Sequence, residues 1–364
     1  MKRIVCLLAA LAILPTCGRS ADWSQWRGPG GDNVAPIGES VPTEWSDSKN
    51  VLWKTNIPGR GHSSPVVVGD LIVLTSADEG NQTQAVVAFD RKTGQLKWLT
   101  PISRGGFPKV HLKNTHASPT IASANGRFYA TFCHHGKIEA AAVDVSGQVV
   151  WKKIVGPFRP QSHEYGFGAS PTIHGSTLIV TGACDTGGWM KALDLETGKI
   201  GWQQKRPKVL NWASPIVAEV GGREQLLISG GDMIAAYNPD SGIPAWKANC
   251  LTMATCGTCV WSESMIFASG GFPAAQTAAV AADGSGRVLW TNRVKCYEQS
   301  MLIHGGYLYA LADNGVAYCW NAKTGAEQWK RRLSGPVSAS PLLVGENIYV
   351  ANEKGTMYVF KASP

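Results

Sequence analysis

Apolar and polar residues alternate through short stretches that recur along the chain, as in PVVVGDLIVLTS (65–76), PTIHGSTLIVTG (171–182) and PLLVGENIYVAN (341–352). A period of two belongs to a strand with one buried face. In each stretch a Gly-containing pair (Gly69-Asp70, His174-Gly175, Gly345-Glu346) separates two β-rich runs. Such a pair turns a hairpin, because Gly accepts positive φ without steric penalty. A third strand then ends at Asp or Asn, as in AVVAFD (85–90) and KALDL (191–195). A tight D-x-x-T-G turn follows, with Asp accepting backbone hydrogen bonds and Gly taking the left-handed position. The fourth strand ends in Trp. Four antiparallel strands per unit are predicted.

The unit repeats. Asp90, Asp144, Asp194, Asn238, Asp283 and Asn321 open six turns, and Trp98, Trp151, Trp202, Trp246, Trp290 and Trp329 close the strands that follow. Trp53, in NVLWK, is a seventh copy without its first half. The Trp intervals are 45, 53, 51, 44, 44 and 39 residues. A second marker keeps step at strand starts: Ser64-Pro65, Ser118-Pro119, Ser170-Pro171, Ser214-Pro215, Thr258-Cys259, Ser300-Met301 and Ser340-Pro341. A period in this range predicts an all-β, seven-bladed β-propeller of four-stranded antiparallel blades. The last repeat ends at Phe360 without a Trp, so residues 50–54 are expected to pair with it and close the ring, leaving no open sheet edge. The seven Trp are read as structural, each ring filling the wedge between neighbouring blades. Burying one removes roughly 150–250 Å² from water.

Composition agrees with one large repeat-built domain: 364 residues, 44% hydrophobic, 16% charged, 41 Gly. Residues 1–21 read as a secretory signal, with Lys2-Arg3 before an apolar run from Val5 to Leu14 that is too short to span a bilayer. The mature protein is expected to be exported, periplasmic or secreted, with no transmembrane segment. Leu14-Pro15-Thr16-Cys17 loosely resembles a lipoprotein box, and membrane attachment would require lipid on Cys17. Residues 22–50 are Gly/Pro-rich and read as an arm over one propeller face, and the propeller covers 51–364. The net charge of +8 falls to +5 without Lys2, Arg3 and Arg19. The basic residues are scattered, which argues against nucleic acid as a partner.

Seven cysteines follow the signal, and an odd number leaves at least one free. Cys256 and Cys259, on an extended strand start, would lie roughly 10 Å apart, beyond disulfide reach. His134 and His135 are adjacent and point to opposite faces, which makes joint chelation awkward. No metal site is expected. No GxSxG elbow or HExxH helix is present.

The phrases A-S-P-x and A-L-D-x-x-T-G-x-x-x-W resemble the pyrroloquinoline-quinone (PQQ)-type propeller repeat of quinoprotein alcohol dehydrogenases and of the outer-membrane assembly lipoprotein BamB. The likeness covers about residues 51–364, and the opening D-W-x-x-W-R-G-P is similar to that of exported bacterial PQQ-like propellers of unassigned activity. The resemblance implies the fold and leaves the chemistry open. The dehydrogenases have eight blades, a calcium ion beside the quinone and a disulfide between adjacent cysteines. This chain has seven repeats, no Cys-Cys pair and no carboxylate set that aligns as calcium ligands. These departures oppose a PQQ cofactor.

A propeller ligand sits where the connectors into the innermost strands converge. Five Trp-to-Ser/Thr connectors span 10 to 12 residues; those from Trp98 to Ser118 and from Trp151 to Ser170 span 20 and 19. Long loops on a rigid scaffold are where function tends to sit. Candidate mouth residues are His62, His116, Trp212 and Glu298, two positions before the strand starts, with His163, Glu164 and Tyr165 from the second long connector. The expectation is an exported binding or scaffold propeller that takes a protein or small polar ligand at its mouth, without catalysis. A PQQ-dependent oxidoreductase and a BamB-like outer-membrane assembly factor are the alternatives.

Overall fold

Residues 21–39 and 41–364 are described in a computed structural model. The expected signal segment up to residue 20, including Cys17, lies outside them. Seven antiparallel sheets follow one another along the chain, each a simple meander. Blade one is typical: Val66–Val68 is innermost, followed outward by Leu71–Asp78, Thr83–Asp90 and Leu96–Arg104. Blades two to six occupy 122–157, 172–206, 216–249, 260–292 and 302–332, each with four strands. Innermost strands of consecutive blades touch, as in blades one to four and in five and six. No helix among the described residues is long and apolar enough to cross a membrane.

The two middle strands of a blade are buried on both faces, which accounts for runs such as AVVAFD and FYATFC. Their side chains meet those of the next blade. Tyr129, Ile138 and Trp151 pack with Leu178 and Leu193 across blades two and three, and Ile234 and Ala236 pack with Ile266 and Val280 across four and five. Like pairings join one to two, three to four, five to six, and six to seven.

The tryptophans connect the blades through both ring and N–H. The Trp98, Trp151, Trp202 and Trp290 indoles donate to the carbonyls of Val145, Leu195, Pro239 and Ala322, each one residue past the turn-opening Asp or Asn of the following blade. A turn Gly lies under the ring. A Cβ on Gly147 would come 2.8 Å from the Trp98 ring, and one on Gly198 would come 2.8 Å from that of Trp151. Trp246 departs from the pattern and donates to the Gln225 side chain at 2.6 Å.

Three sequence-based expectations need correction. Residues 50–54 do not form a closing strand: blade seven has only Leu342–Val344, Asn347–Ala351 and Met357–Lys361. The preceding chain holds the segment instead. Ser46 and Lys49 bridge each other, the Asn50 amide donates to the Glu44 carbonyl at 2.8 Å, and Lys54 pairs with Asp47. Trp53 nevertheless lies under the blade-one turn.

The second correction concerns the N-terminal arm, which enters the central channel rather than covering a face. Trp23 bridges Val67 of blade one, and Ser24 accepts from Ser123 of blade two. Asn33 and Val34 then run beside Pro341 and Leu343 of blade seven. At the bend, Arg27 is 1% exposed and donates to the carbonyls of Gly31, Asp32 and Met301. Burial lowers its guanidinium pKa to about 10, partly offset by the Asp32 charge, so the plug carries a buried positive charge. Gly31, at φ 71°, lies against the end of the Ile216 side chain of blade four, close to where a Cβ would stand.

The third correction is one of register. In blade two the hydroxyl that precedes the first strand, Ala122–Ala124, is Thr120, two residues after Ser118. Ser64 N donates to Thr120 Oγ1, Thr120 N to Ser170 Oγ, and Ser170 N to Ser214 Oγ, each at 2.9 Å. Thr258 N to Ser300 Oγ and Ser300 N to Ser340 Oγ repeat the bond at 2.9 Å. These hydroxyls therefore join blades one to four and blades five to seven along the channel.

Candidate functional site

Above these hydroxyls opens a cavity of about 750 Å³. With the register of blade two corrected, the positions two before the strand starts are His62, Ser118, Gly168, Trp212, Cys256, Glu298 and Ser338. All seven line the cavity. The seven-fold arrangement places one residue from every blade around one opening. Trp26 of the N-terminal plug is the floor, its indole donating to Thr258 Oγ1 at 2.9 Å.

The two long connectors form one wall. The Asn114 amide donates to the Tyr165 carbonyl at 2.6 Å, and the His111 and Tyr165 rings meet edge to face at 4.8 Å. Tyr165 stacks on Trp212, centroids 6.0 Å apart and planes 23° from parallel, while the Trp212 N–H is held by the Gly166 carbonyl at 2.8 Å. The Trp212 ring is fixed by its N–H, and Tyr165 lies against its face.

Opposite this wall stand two carboxylates. Lys113 reaches across from the first long connector, 2.6 Å from Glu353 and 3.8 Å from Glu298. The Ser338 hydroxyl donates to Glu353 at 2.6 Å. The Lys113 hydrogen bond, then that of Ser338, holds the Glu353 carboxyl below its usual range, and the bond to Glu353 raises the Lys113 pKa. Burial lowers the His62 pKa, with Arg60 adding to the effect, so its imidazole is neutral at pH 7. Burial pushes the Cys256 thiol up, next to a Tyr297 hydroxyl shifted the same way.

Of the residues proposed from sequence, His62, Tyr165, Trp212 and Glu298 meet in this cavity. His116 does not. It is stacked on Phe107 at 4.2 Å, with Nε2 2.9 Å from the Pro108 carbonyl and Nδ1 3.2 Å from Glu79, inside the connector. The two-residue register shift explains the displacement. His163 turns away at φ 55°, its ring against Phe272 at 5.5 Å. Glu164 faces outward and pairs with Lys109 at 2.9 Å. Glu353 and Trp26 escaped the sequence reading. Glu353 sits on the hairpin between strands two and three of blade seven, which opens on the same face as the connectors. Trp26 stands in the non-alternating arm, where two Trp and an Arg among Gly and Pro were the available signal. His134 pairs with Glu139 at 3.2 Å and His135 caps the Arg104 carbonyl at 3.2 Å. No group of three or more His, Cys, Asp or Glu able to hold a metal occurs among the described residues.

The family model described as outer membrane protein assembly factor BamB matches residues 38–167, 109–270 and 274–363. This chain belongs to that PQQ-like propeller family. BamB of Burkholderia pseudomallei (strain K96243) is 23% identical over 361 residues, which cover 88% of this chain and 91% of the relative. The crystal structure of BamB from Moraxella catarrhalis superposes with a TM-score of 0.61 at 15% identity, covering 83% and 84% of the two chains. A europium-containing methanol dehydrogenase superposes at 0.51 with 11% identity over 94% of this chain and 89% of its own. These structural likenesses concern the fold.

Proposed function

We propose that this BamB-family chain is an exported binding or scaffold propeller that holds a segment of a partner protein in its funnel mouth. The observation that carries the reading is the mouth itself: floored by Trp26, ringed by one residue from each of seven blades, and walled on one side by two connectors bonded to each other. Aromatic faces beside polar groups are what a protein-binding centre uses. The name of the relatives, assembly factors of the outer membrane, favours a protein partner over a metabolite. Export rests on the signal pattern of residues 1–21.

A quinone with its calcium does not fit this donor set. Among the described residues no group of three or more His, Cys, Asp or Glu able to hold a metal stands at the mouth, and Trp26 fills the channel below it. The reading therefore contains no redox step.

Site-specific photocrosslinking tests it. A benzoylphenylalanine in place of Leu112, which stands exposed on the mouth rim, should crosslink a discrete partner in cells. The same group in place of Lys323, on a turn of the opposite face, should not. Equal crosslinking from the two faces, or none from Leu112, would refute the mouth as the binding face.

A further inference from the structure

The cation between the two mouth carboxylates belongs to the chain itself. Lys113 is carried by the connector of 20 residues between Trp98 and Ser118, whereas Glu298 and Glu353 belong to blades six and seven across the opening. The Lys113 side chain is 48% exposed, and those of Glu298 and Glu353 are 34% and 30% exposed. The pair is thus formed at the edge of solvent, where such bridges are weak and exchange readily. Without the ammonium, the cavity would present two negative charges on one wall, across the opening from the rings of Tyr165 and Trp212. A cavity with carboxylates on one wall and aromatic rings on the other suits a guanidinium or ammonium group through charge, hydrogen bonds and stacking.

We infer that the mouth is a receptor for a basic side chain of the partner segment, and that Lys113 is its intramolecular occupant, displaced when the partner binds. The inference rests on the reading of the mouth as the binding face. It adds the chemistry of what enters and a reason for the length of the first connector, which brings a cation to acids on the far wall. Lys113 acts here as a competitor: its removal should strengthen binding, whereas loss of a residue needed only to shape the loop should weaken it.

The test is calorimetric titration, in low-salt buffer, of the purified protein with the peptide acetyl-Gly-Gly-Arg-Gly-Gly-amide and with its analogue bearing citrulline, a neutral isostere of arginine. K113M should bind the arginine peptide about fivefold more tightly than the unsubstituted protein, the range set by an exposed ion pair. The citrulline peptide should gain nothing. K323M makes the same change in net charge on the opposite face and should give no gain. Adding E298Q and E353Q to K113M should abolish the gain, with unchanged thermal unfolding showing that the propeller is intact. An equal gain for citrulline, or a gain in K323M, overturns the cation receptor while leaving the mouth as binding face. No gain with either peptide in folded K113M overturns it too. The binding-face reading itself falls only if Leu112 crosslinking also fails.

Discussion

The Trp53 indole N–H donates to the Arg91 carbonyl at 3.1 Å, one residue past the turn-opening Asp90. This is the bond that Trp98 makes to Val145 and Trp290 makes to Ala322. Trp53 thus performs the wedge role of its repeat without belonging to a strand. The seam it fills differs from the other six. No buried apolar cluster among the described residues is shared by blades seven and one, and a groove of about 460 Å³ lies there among Trp45, Val51, Trp53, Arg91 and Tyr349. Trp53→Ala should open the ring at this seam and cost about 2 kcal/mol or more. Trp53→Phe, which keeps the ring and loses the N–H, should cost about 1 kcal/mol. Urea unfolding of both variants decides; equal costs would mean that the ring contributes nothing.

The outer strand of blade seven, Met357–Lys361, has a neighbour on one side only. Its outward amides should exchange with deuterium much faster than the amides of Val316–Asn321, the third strand of blade six, which is bonded to Tyr307–Leu311 on one side and to Glu327–Arg332 on the other. More precisely, the inward-bonded amides of Met357–Lys361 should be protected and the alternate ones should not. Uniform protection along the strand would show that residues 50–54 do pair there in solution.

Much of this architecture was legible because it repeats. Blade number, turn chemistry and the wedge Trp each leave one residue at a fixed offset, and a ring of similar contacts follows from similar spacing. What was hidden is aperiodic. The plug at Trp23–Val34 bonds blades two, five, six and seven through different groups, Ser123, Thr258, Met301 and Leu343, so no offset marks it. The two residues inserted before Thr120 keep the Ser-Pro pair visible while moving it out of the hydroxyl series, which misplaced His116. Glu353 could be assigned to the mouth only once the strand-two hairpins were known to share the face of the connectors.

Glycine at the turns under the wedges is required twice, by conformation and by space. Gly147 has φ 88°, and a Cβ there would press into the Trp98 ring at 2.8 Å. Gly147→Ala should therefore destabilise by about 2 kcal/mol or more, combining left-handed strain with overpacking. Gly126 also has positive φ, at 70°, but has nothing within 4 Å of its would-be Cβ, so Gly126→Ala should cost only the strain, about 1 kcal/mol. Thermal melts of the pair separate the two contributions, and equal losses would count against the wedge contact.

The seven cysteines between Cys133 and Cys319 are free, and only Cys256 is not buried. Burial pushes Cys133 and Cys259 up to about 12, and Cys250 and Cys319 up to about 11. The thiolate is the reactive form, so these groups are inert in the folded protein. Iodoacetamide at pH 8 should leave the native protein almost unmodified, Cys256 included because its thiol is also shifted up, and should label all seven in guanidinium. Rapid native labelling of Cys133 or Cys259, read by mass spectrometry, would contradict the packing.

Acid should loosen the propeller through its turns. Hydrogen bonds from Ser146 and Thr197 side chains, then from backbone N–H groups, hold the Asp144 and Asp194 carboxyls below their usual value. A pKa lower in the folded than in the unfolded chain adds stability that is complete above the ordinary carboxylate range of about 3.9–4.3. That stability is lost as pH falls through the folded values. The urea midpoint should therefore be level from neutral pH down to about 5 and decline steeply below about 4. Asn already opens two turns, with Asn238 accepting from Asp240 N and Ser241 N at 2.9 Å and Asn321 accepting from Lys323 N and Thr324 N at 3.1 Å. Asp194→Asn should accordingly fold with the same turn and lose part of the acid slope, because an amide accepts the same bonds without titrating. An undiminished slope in that variant would assign the acid sensitivity elsewhere, first to Glu353 and its bond to Lys113.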